Sequence, residues 1–369
     1  MSEEIVPLVM PKWGLAMTEG MVTAWLVPEG ATVAAGDEIL EIETAKITNV
    51  FESPATGILR RQVVDEGGTV PVGALLGVFA PQAVPDPEID AYVARFQEDF
   101  QVEAADAEAA IEPAFLDLEG LRLRYLQLGE GPPIVLIHGF GADLNTWMFT
   151  QPALAESHQV TALDLPGHGG STKDVGAGDL AALAGAVGAF LAALDLGPVH
   201  LVGHSLGGAI ALQLALEAPE RVASASLIAP AGLGPEINAE FLEGFLAAKR
   251  RKHLKPVLEL LVSDPALIGR DMVDDVLKFK RLDGVEAALA TLAATLATQG
   301  VQRLNLRPRL GELALPVQII WGADDQILPA AHARDLPEAI ACHILENAGH
   351  MPHMERAPEV SALIGTFVA

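Results

Sequence analysis

The sequence predicts a multidomain protein: a small all-β module of duplicated halves, followed by a larger α/β domain with a mostly parallel sheet and a helical insert. Three observations carry this expectation. A glycine-centred motif occurs twice within the first 80 residues. From Leu116 onward, strand-like and helix-like segments alternate, the pattern of an α/β fold. Near the middle of that second half, Val199 to Gly208 reads as a buried strand turning sharply through a serine into a helix.

The duplication is explicit. Glu29-Gly30-x-Thr32-Val33-x-x-Gly36 recurs as Glu66-Gly67-x-Thr69-Val70-x-x-Gly73, and an apolar pair follows each copy, Ile39-Leu40 and Leu75-Leu76. Short alternating strands with Gly and Pro between them surround both copies. Two such halves imply two small sheets related by a pseudo-twofold axis, in a unit too short for a solenoid. Between the copies, strand-like residues flank Lys46 on both sides, which puts this lysine at an exposed hairpin tip. A surface lysine in a turn is the plain alternative.

Met10-Pro11-Lys12-Trp13-Gly14-Leu15-Ala16-Met17-Thr18-Glu19-Gly20, followed by Glu43-Thr44-Ala45-Lys46, resembles a lipoyl domain of the 2-oxo-acid dehydrogenase type over residues 1–80. The resemblance implies a lipoyl/biotinyl-type sandwich with a lipoyl group amide-linked to Lys46, put there by a lipoate-attaching enzyme. Ala45 stands where an aspartate is common. Biotin carriers share the fold but usually flank the lysine with methionines, and Ala45 and Ile47 do not fit that pattern.

Residues 81–113 have the Pro-, Ala-, Asp- and Glu-rich composition of a mobile, extended linker. Within it, Ile89, Val93, Phe96 and Phe100 recur at helical spacing and mark a short helix. It would either dock a partner subunit or pack on the chain's own C-terminal domain.

Residues 114–369 form the second domain. Gly203-His204-Ser205-Leu206-Gly207 fits G-x-S-x-G, the strand-to-helix turn that raises a serine above a parallel sheet. Gly203 and Gly207 leave the room that a strained backbone at Ser205 needs. The helix that follows turns its positive end toward an oxyanion forming at Ser205. Pro133 to His138 reads as another buried strand, ending in His138-Gly139-Phe140-Gly141. This H-G-x-G resembles the oxyanion loop of α/β-hydrolases, and the resemblance implies an oxyanion hole made by the N–H groups of Phe140 and Leu206. His138, and His168 in the loop Asp164–Gly169, are then structural.

In that family the acid and the histidine follow the serine in chain order. Trp321-Gly322-Ala323-Asp324-Asp325-Gln326-Ile327-Leu328-Pro329 resembles W-G-x-x-D-x-x-x-P and places the acid at Asp325, with Asp324 as the alternative. Gly349-His350 matches the histidine loop, with His353 as runner-up. The chemistry needs these residue types. A serine hydroxyl is a weak nucleophile at neutral pH, so a neutral imidazole must take its proton and a carboxylate must fix the tautomer.

A helical cap is expected over about 235–311. From Glu236 to Arg309 there are 12 Lys/Arg and 10 Asp/Glu, in a chain of net charge −26. Arg250, Arg251, Lys278, Lys280 and Arg281 fall in its basic clusters. They form either a solvated helix face or a patch for an anionic substrate such as coenzyme A.

The remaining composition narrows the function classes. The strongly acidic balance opposes general nucleic-acid binding. No apolar run approaches a membrane span. The acidic start, Met1-Ser2-Glu3-Glu4, lacks a signal-peptide pattern, so a cytoplasmic location is expected. Cys342 is the single cysteine and excludes an internal disulfide. Nothing suggests a metal site.

A lipoyl arm fused to a serine-triad domain resembles the acyltransferase component of acetoin dehydrogenase complexes across almost the whole chain. The resemblance implies transfer of an acetyl group from dihydrolipoyl-Lys46 to coenzyme A. It implies as partners a thiamine-diphosphate-dependent dehydrogenase component and a dihydrolipoamide dehydrogenase. The H-x-x-x-D-G signature of the usual lipoyl acyltransferase core is absent. Two other functions fit the same residues: a serine hydrolase acting on esters or thioesters, and a lipoyl carrier whose second domain is a docking scaffold.

Overall fold

The computed structural model describes residues 5–11, 19–43, 48–108 and 112–368. The chain divides into two compact units, Met1–Ala110 and Ile111–Ala369.

The first unit holds two four-stranded sheets. One has the order Val6–Val9, Leu75–Phe79, Gly57–Gln62, Thr32–Val33; the other has Thr48–Glu52, Glu38–Glu43, Glu19–Trp25, Thr69–Pro71. The sequence repeat explains this symmetry. Thr32–Val33 and Thr69–Pro71 carry the two motif copies, and each is the edge strand of its own sheet. The motif glycines match as well: Gly30 and Gly67 both have φ +85°, a left-handed turn that a side chain would strain. Leu8, Met10, Val22, Ile39, Leu40, Ile42, Leu59, Leu76 and Phe79 fill the core between the sheets.

The linker expectation needs correction. Asp86–Glu108 is one α-helix of 23 residues, and its first half packs on the first unit rather than running free. The reason is the apolar stripe noted above. Ile89 is fully buried beside Ile5, Leu75 and Val78, and Val93 and Phe96 pack at the margin. Asp86 pairs with Arg60 at 2.7 Å and Asp90 with Arg61 at 2.9 Å, so two acidic groups of the supposed tether are anchored.

The second unit is built on an eight-stranded sheet. Its order is Ile340–Leu345, Val317–Gly322, Val222–Ile228, Val199–His204, Pro133–Ile137, Gln159–Leu163, Leu121–Leu128, Ala114–Leu118. The last two strands pair antiparallel and the other six run parallel. Parallel strands buried on both faces read as continuous apolar runs, as Pro133–Ile137 does. From Pro133–Ile137 the chain steps to one side, to Gln159–Leu163, and then to the other, to Val199–His204. The crevice at such a reversal, at the carboxyl ends of the strands, is where α/β sheets bind ligands. Four helices, Ala239–Ala247, Arg251–Glu259, Arg270–Lys280 and Val285–Leu296, are inserted between Val222–Ile228 and Val317–Gly322. Among the described residues no helix is long and apolar enough to cross a membrane.

Candidate active site

Ser205 closes the strand Val199–His204 and caps the helix Leu206–Glu217, with φ 54° and ψ −112°. Few non-glycine residues hold such a backbone, and here the surroundings impose it. The Ser205 N–H donates to Ile228 O at 2.9 Å, and its carbonyl accepts from Ala209 and Ala231. A Cβ on Gly203 would lie 2.3 Å from Gly207 O, and one on Gly207 would lie 2.1 Å from Ile137 O. Both motif glycines are therefore required by close backbone approach.

The loop after Pro133–Ile137 is held by two neutral histidines. His138 donates from Nδ1 to Gly139 O at 2.8 Å and accepts the Leu165 N–H at Nε2. His168 donates from Nδ1 to Pro166 O and accepts the Gly141 N–H at 3.0 Å. Burial pushes both imidazoles below their usual pKa, His168 well below, which keeps each able to accept. Asp164, buried below them, accepts from Leu144 N–H, Gly170 N–H and Arg124. Phe140 lies between the two clamped glycines. Among the described residues, no backbone carbonyl takes up the N–H of Phe140 or of Leu206.

Asp325 and His350 meet. Asp325 Oδ2 accepts the His350 Nδ1–H at 2.8 Å and the Trp321 Nε1–H at 2.9 Å, while Oδ1 accepts the N–H groups of Ile327 and Leu328. Both side chains are buried. A carboxylate with four donors in fixed places holds one imidazole tautomer, leaving Nε2 free of a proton. The alternatives fall elsewhere. Asp324 is exposed. His353 is fully buried against Trp147 and Thr146, and burial, reinforced by His350, lowers its pKa to about 3.

His204, the residue before Ser205, connects the two halves of the site. Its Nε2–H donates to the His350 carbonyl at 2.8 Å, and its ring lies 4.7 Å from the His350 ring. Burial, then the neighbouring His353 and His350, hold it well below its usual pKa. The sequence reading missed this residue, because the second position of G-x-S-x-G admits any side chain. Phe245 was missed too: it packs on Phe140 with ring centroids 5.7 Å apart, bringing a cap helix to the loop after Pro133–Ile137.

The basic residues of the cap divide. Arg251 pairs with Asp274, Lys278 with Asp275 at 2.8 Å, and Lys249 with Glu286 at 3.1 Å. Lys280 is half-buried and donates to the carbonyls of Phe245, Leu246 and Ala248, capping the helix Ala239–Ala247; burial pushes its pKa down to about 8. Among the described residues Arg250 and Arg281 make no ion pair. A pocket of about 500 Å³ lies within the cap, lined by Lys249, Lys280, Arg281, Asp283 and Glu286 over a floor that includes Leu246 and Leu289.

Lys46 lies outside the described residues. The strands on either side of it, Glu38–Glu43 and Thr48–Glu52, pair antiparallel, Glu43 with Thr48.

Comparison with known proteins covers both units. The family model described as alpha/beta hydrolase fold matches residues 132–357, and the one described as biotin-requiring enzyme matches 6–79. A Pseudomonas putida protein named dihydrolipoyllysine-residue acetyltransferase component of acetoin cleaving system is 50% identical over 99% of each chain. A Cupriavidus necator protein of the same name is 46% identical over 98% of this chain and 97% of that relative. Among solved structures, the meta-cleavage product hydrolase of Pseudomonas fluorescens IP01 superimposes with a TM-score of 0.63 at 21% identity, covering 69% of this chain and 97% of the other. That likeness shows the α/β-hydrolase fold of the second unit. With a lipoyl-type sandwich and an α/β-hydrolase fold on one chain, and these relatives matched from end to end, the protein belongs to the family of dihydrolipoyllysine-residue acetyltransferase components of acetoin cleaving systems.

Proposed function

We propose that this protein moves an acetyl group from dihydrolipoyl-Lys46 to coenzyme A, with Ser205, His350 and Asp325 as its catalytic triad. The observation that carries the reading is the buried Asp325–His350 pair, joined through His204 to the strained Ser205 turn, on a chain that also holds a lipoyl-type unit. The lipoyl group supplies the thiol on which an acyl group arrives; the steps at the triad are the chain's own. His350 Nε2 takes the Ser205 proton as Oγ attacks the thioester carbonyl, and Asp325 stabilises the imidazolium. The N–H groups of Phe140 and Leu206 hold the oxyanion. The C–S bond breaks, His350 returns the proton to the leaving sulfur, and Ser205 carries the acetyl group. His350 then takes the proton of the coenzyme A thiol, whose sulfur attacks the acetyl-serine, and Ser205 leaves with that proton.

Coenzyme A carries several phosphates. Arg281 and Arg250, which make no ion pair among the described residues, are the better candidates to meet them. Lys278, Lys280 and Arg251 are committed to contacts within the cap. A thiamine-diphosphate-dependent dehydrogenase component would load the arm, a dihydrolipoamide dehydrogenase would reoxidise it, and a lipoate-attaching enzyme would modify Lys46. Water reaching the acetyl-serine would make the same site a hydrolase, and the fold shared with a solved hydrolase favours this as the second reading. The test is incubation with acetyl-dihydrolipoamide and coenzyme A, comparing wild type with Ser205→Ala. Loss of acetyl-coenzyme A formation in the variant supports the reading; undiminished formation contradicts it.

A further inference from the structure

Glu355 takes no part in the proton transfers above, yet its carboxylate lies where the cap meets the histidine loop. A tight turn brings it there: the N–H groups of Met354 and Glu355 both donate to Met351 O, at 2.9 and 3.0 Å. Glu355 Oε1 accepts the N–H of Gly349, the residue before His350, at 2.7 Å. Oε2 accepts the N–H and the hydroxyl of Ser263, each at 2.7 Å. Ser263 belongs to the cap, in the connection between Arg251–Glu259 and Arg270–Lys280.

The backbones approach closely at the same point. Met351 N–H donates to Leu261 O at 3.2 Å. A Cβ on Gly349 would lie 2.7 Å from Val262 C and 2.8 Å from Ser263 N, and a Cβ on Gly322 would lie 2.0 Å from Gly349 O. Gly349 is thus gripped between the end of a sheet strand and the cap. Charge-assisted bonds from one carboxylate to both sides are strong and directional. Removing that carboxylate leaves two N–H donors and a hydroxyl without their acceptor in a partly buried place.

We infer that Glu355 is a positioning residue for His350: by binding Gly349 and Ser263 with one carboxylate, it makes the seating of the cap and the aim of the imidazole a single event. The inference rests on the triad reading above.

The test uses the full-length protein. It measures the rate at which a fluorophosphonate modifies Ser205, located by peptide mass analysis, together with kcat and KM for a small neutral acetate ester. Glu355→Ala should slow the modification and lower kcat about tenfold to hundredfold, the cost of a misplaced catalytic group. KM should stay within about twofold, as expected when only the transition state loses an interaction. Glu355→Gln, which keeps an oxygen for Gly349, should fall between, and Ser263→Ala should show a smaller loss of the same kind. A folded Glu355→Ala protein with the wild-type modification rate overturns the assignment. If that variant does not fold, an unaltered rate in Glu355→Gln overturns it equally. A raised KM with an unchanged modification rate marks a purely structural role and also overturns it. Wild-type protein that is not modified at Ser205 removes the triad reading itself, and the inference with it.

Discussion

Replacing Asp325 by asparagine exchanges one oxygen for an amide and reverses one hydrogen bond. In the native site Oδ1 accepts from the Ile327 and Leu328 N–H groups, and Oδ2 faces His350 Nδ1–H and Trp321 Nε1–H. The asparagine oxygen keeps the two backbone donors, which turns its NH₂ toward His350 and Trp321. The imidazole must then accept at Nδ1 and carry its proton at Nε2, where it can no longer take one from Ser205. A wrong tautomer in such a triad costs about 10⁴-fold in kcat, equivalent to about 5.5 kcal/mol of transition-state stabilisation. The fold should lose far less. Trp321 keeps a second acceptor, Leu328 O at 3.0 Å, so the stability loss is about 1–3 kcal/mol. The assay is steady-state cleavage of a small acetate ester, with thermal unfolding measured on the same samples. Asp324→Asn is the control: that residue is exposed, and its activity should match wild type. An Asp325→Asn protein retaining a tenth of wild-type kcat, or a damaging Asp324→Asn, would refute the reasoning.

Three further outcomes follow from the same structure. Lys46→Arg should abolish acetyl-coenzyme A formation from the protein's own arm while leaving ester cleavage intact; mass spectrometry of wild type made with lipoate should find the adduct on the Lys46 peptide, and full turnover of the variant would contradict the assignment. His138, His168, His204 and His353 all have folded pKa values below 6.5, so the unfolded chain binds more protons than the folded one under mildly acidic conditions. Stability should therefore fall as pH drops below about 6.5 toward 4, by up to about 1.4 kcal/mol per pH unit for each histidine that stays neutral; urea unfolding that gives equal stability at pH 7 and pH 5 would refute this. Arg281→Ala should raise KM for coenzyme A by less than about fivefold, as for a solvent-exposed contact, and the effect should shrink as salt rises; an equal rise for a thiol acceptor without phosphates would make the arginine structural.

Much of this was legible in the sequence, for identifiable reasons. The two motif copies could be read because each glycine pair makes the same left-handed turn in its own half. Ser205 could be read because Gly203 and Gly207 have no room for a Cβ. The W-G-x-x-D-x-x-x-P spacing pointed to Asp325 ahead of its neighbour Asp324, and the two carboxylates differ in their surroundings, one meeting Trp321 and His350 and the other facing solvent. The helix Asp86–Glu108 was misjudged because its composition is that of a tether; four apolar residues and two ion pairs outweigh that composition locally. The basic clusters could be read only in part, since charge in sequence does not reveal that Asp274 and Asp275 face Arg251 and Lys278. Glu355 and His204 carry no sequence signal of their own, because Ser263, which Glu355 joins to Gly349, and the His350 carbonyl, which His204 binds, lie 92 and 146 residues away.

The most direct test of the central claim is a rapid-quench experiment on the full-length protein with acetyl-dihydrolipoamide, followed by a chase with coenzyme A. Peptide mass analysis at each time point should show an acetyl group on Ser205 that forms before product and disappears on the chase, with acetyl-coenzyme A rising in step and little free acetate. Acetyl-coenzyme A formed without any acetyl-Ser205, and undiminished in Ser205→Ala, would contradict the account.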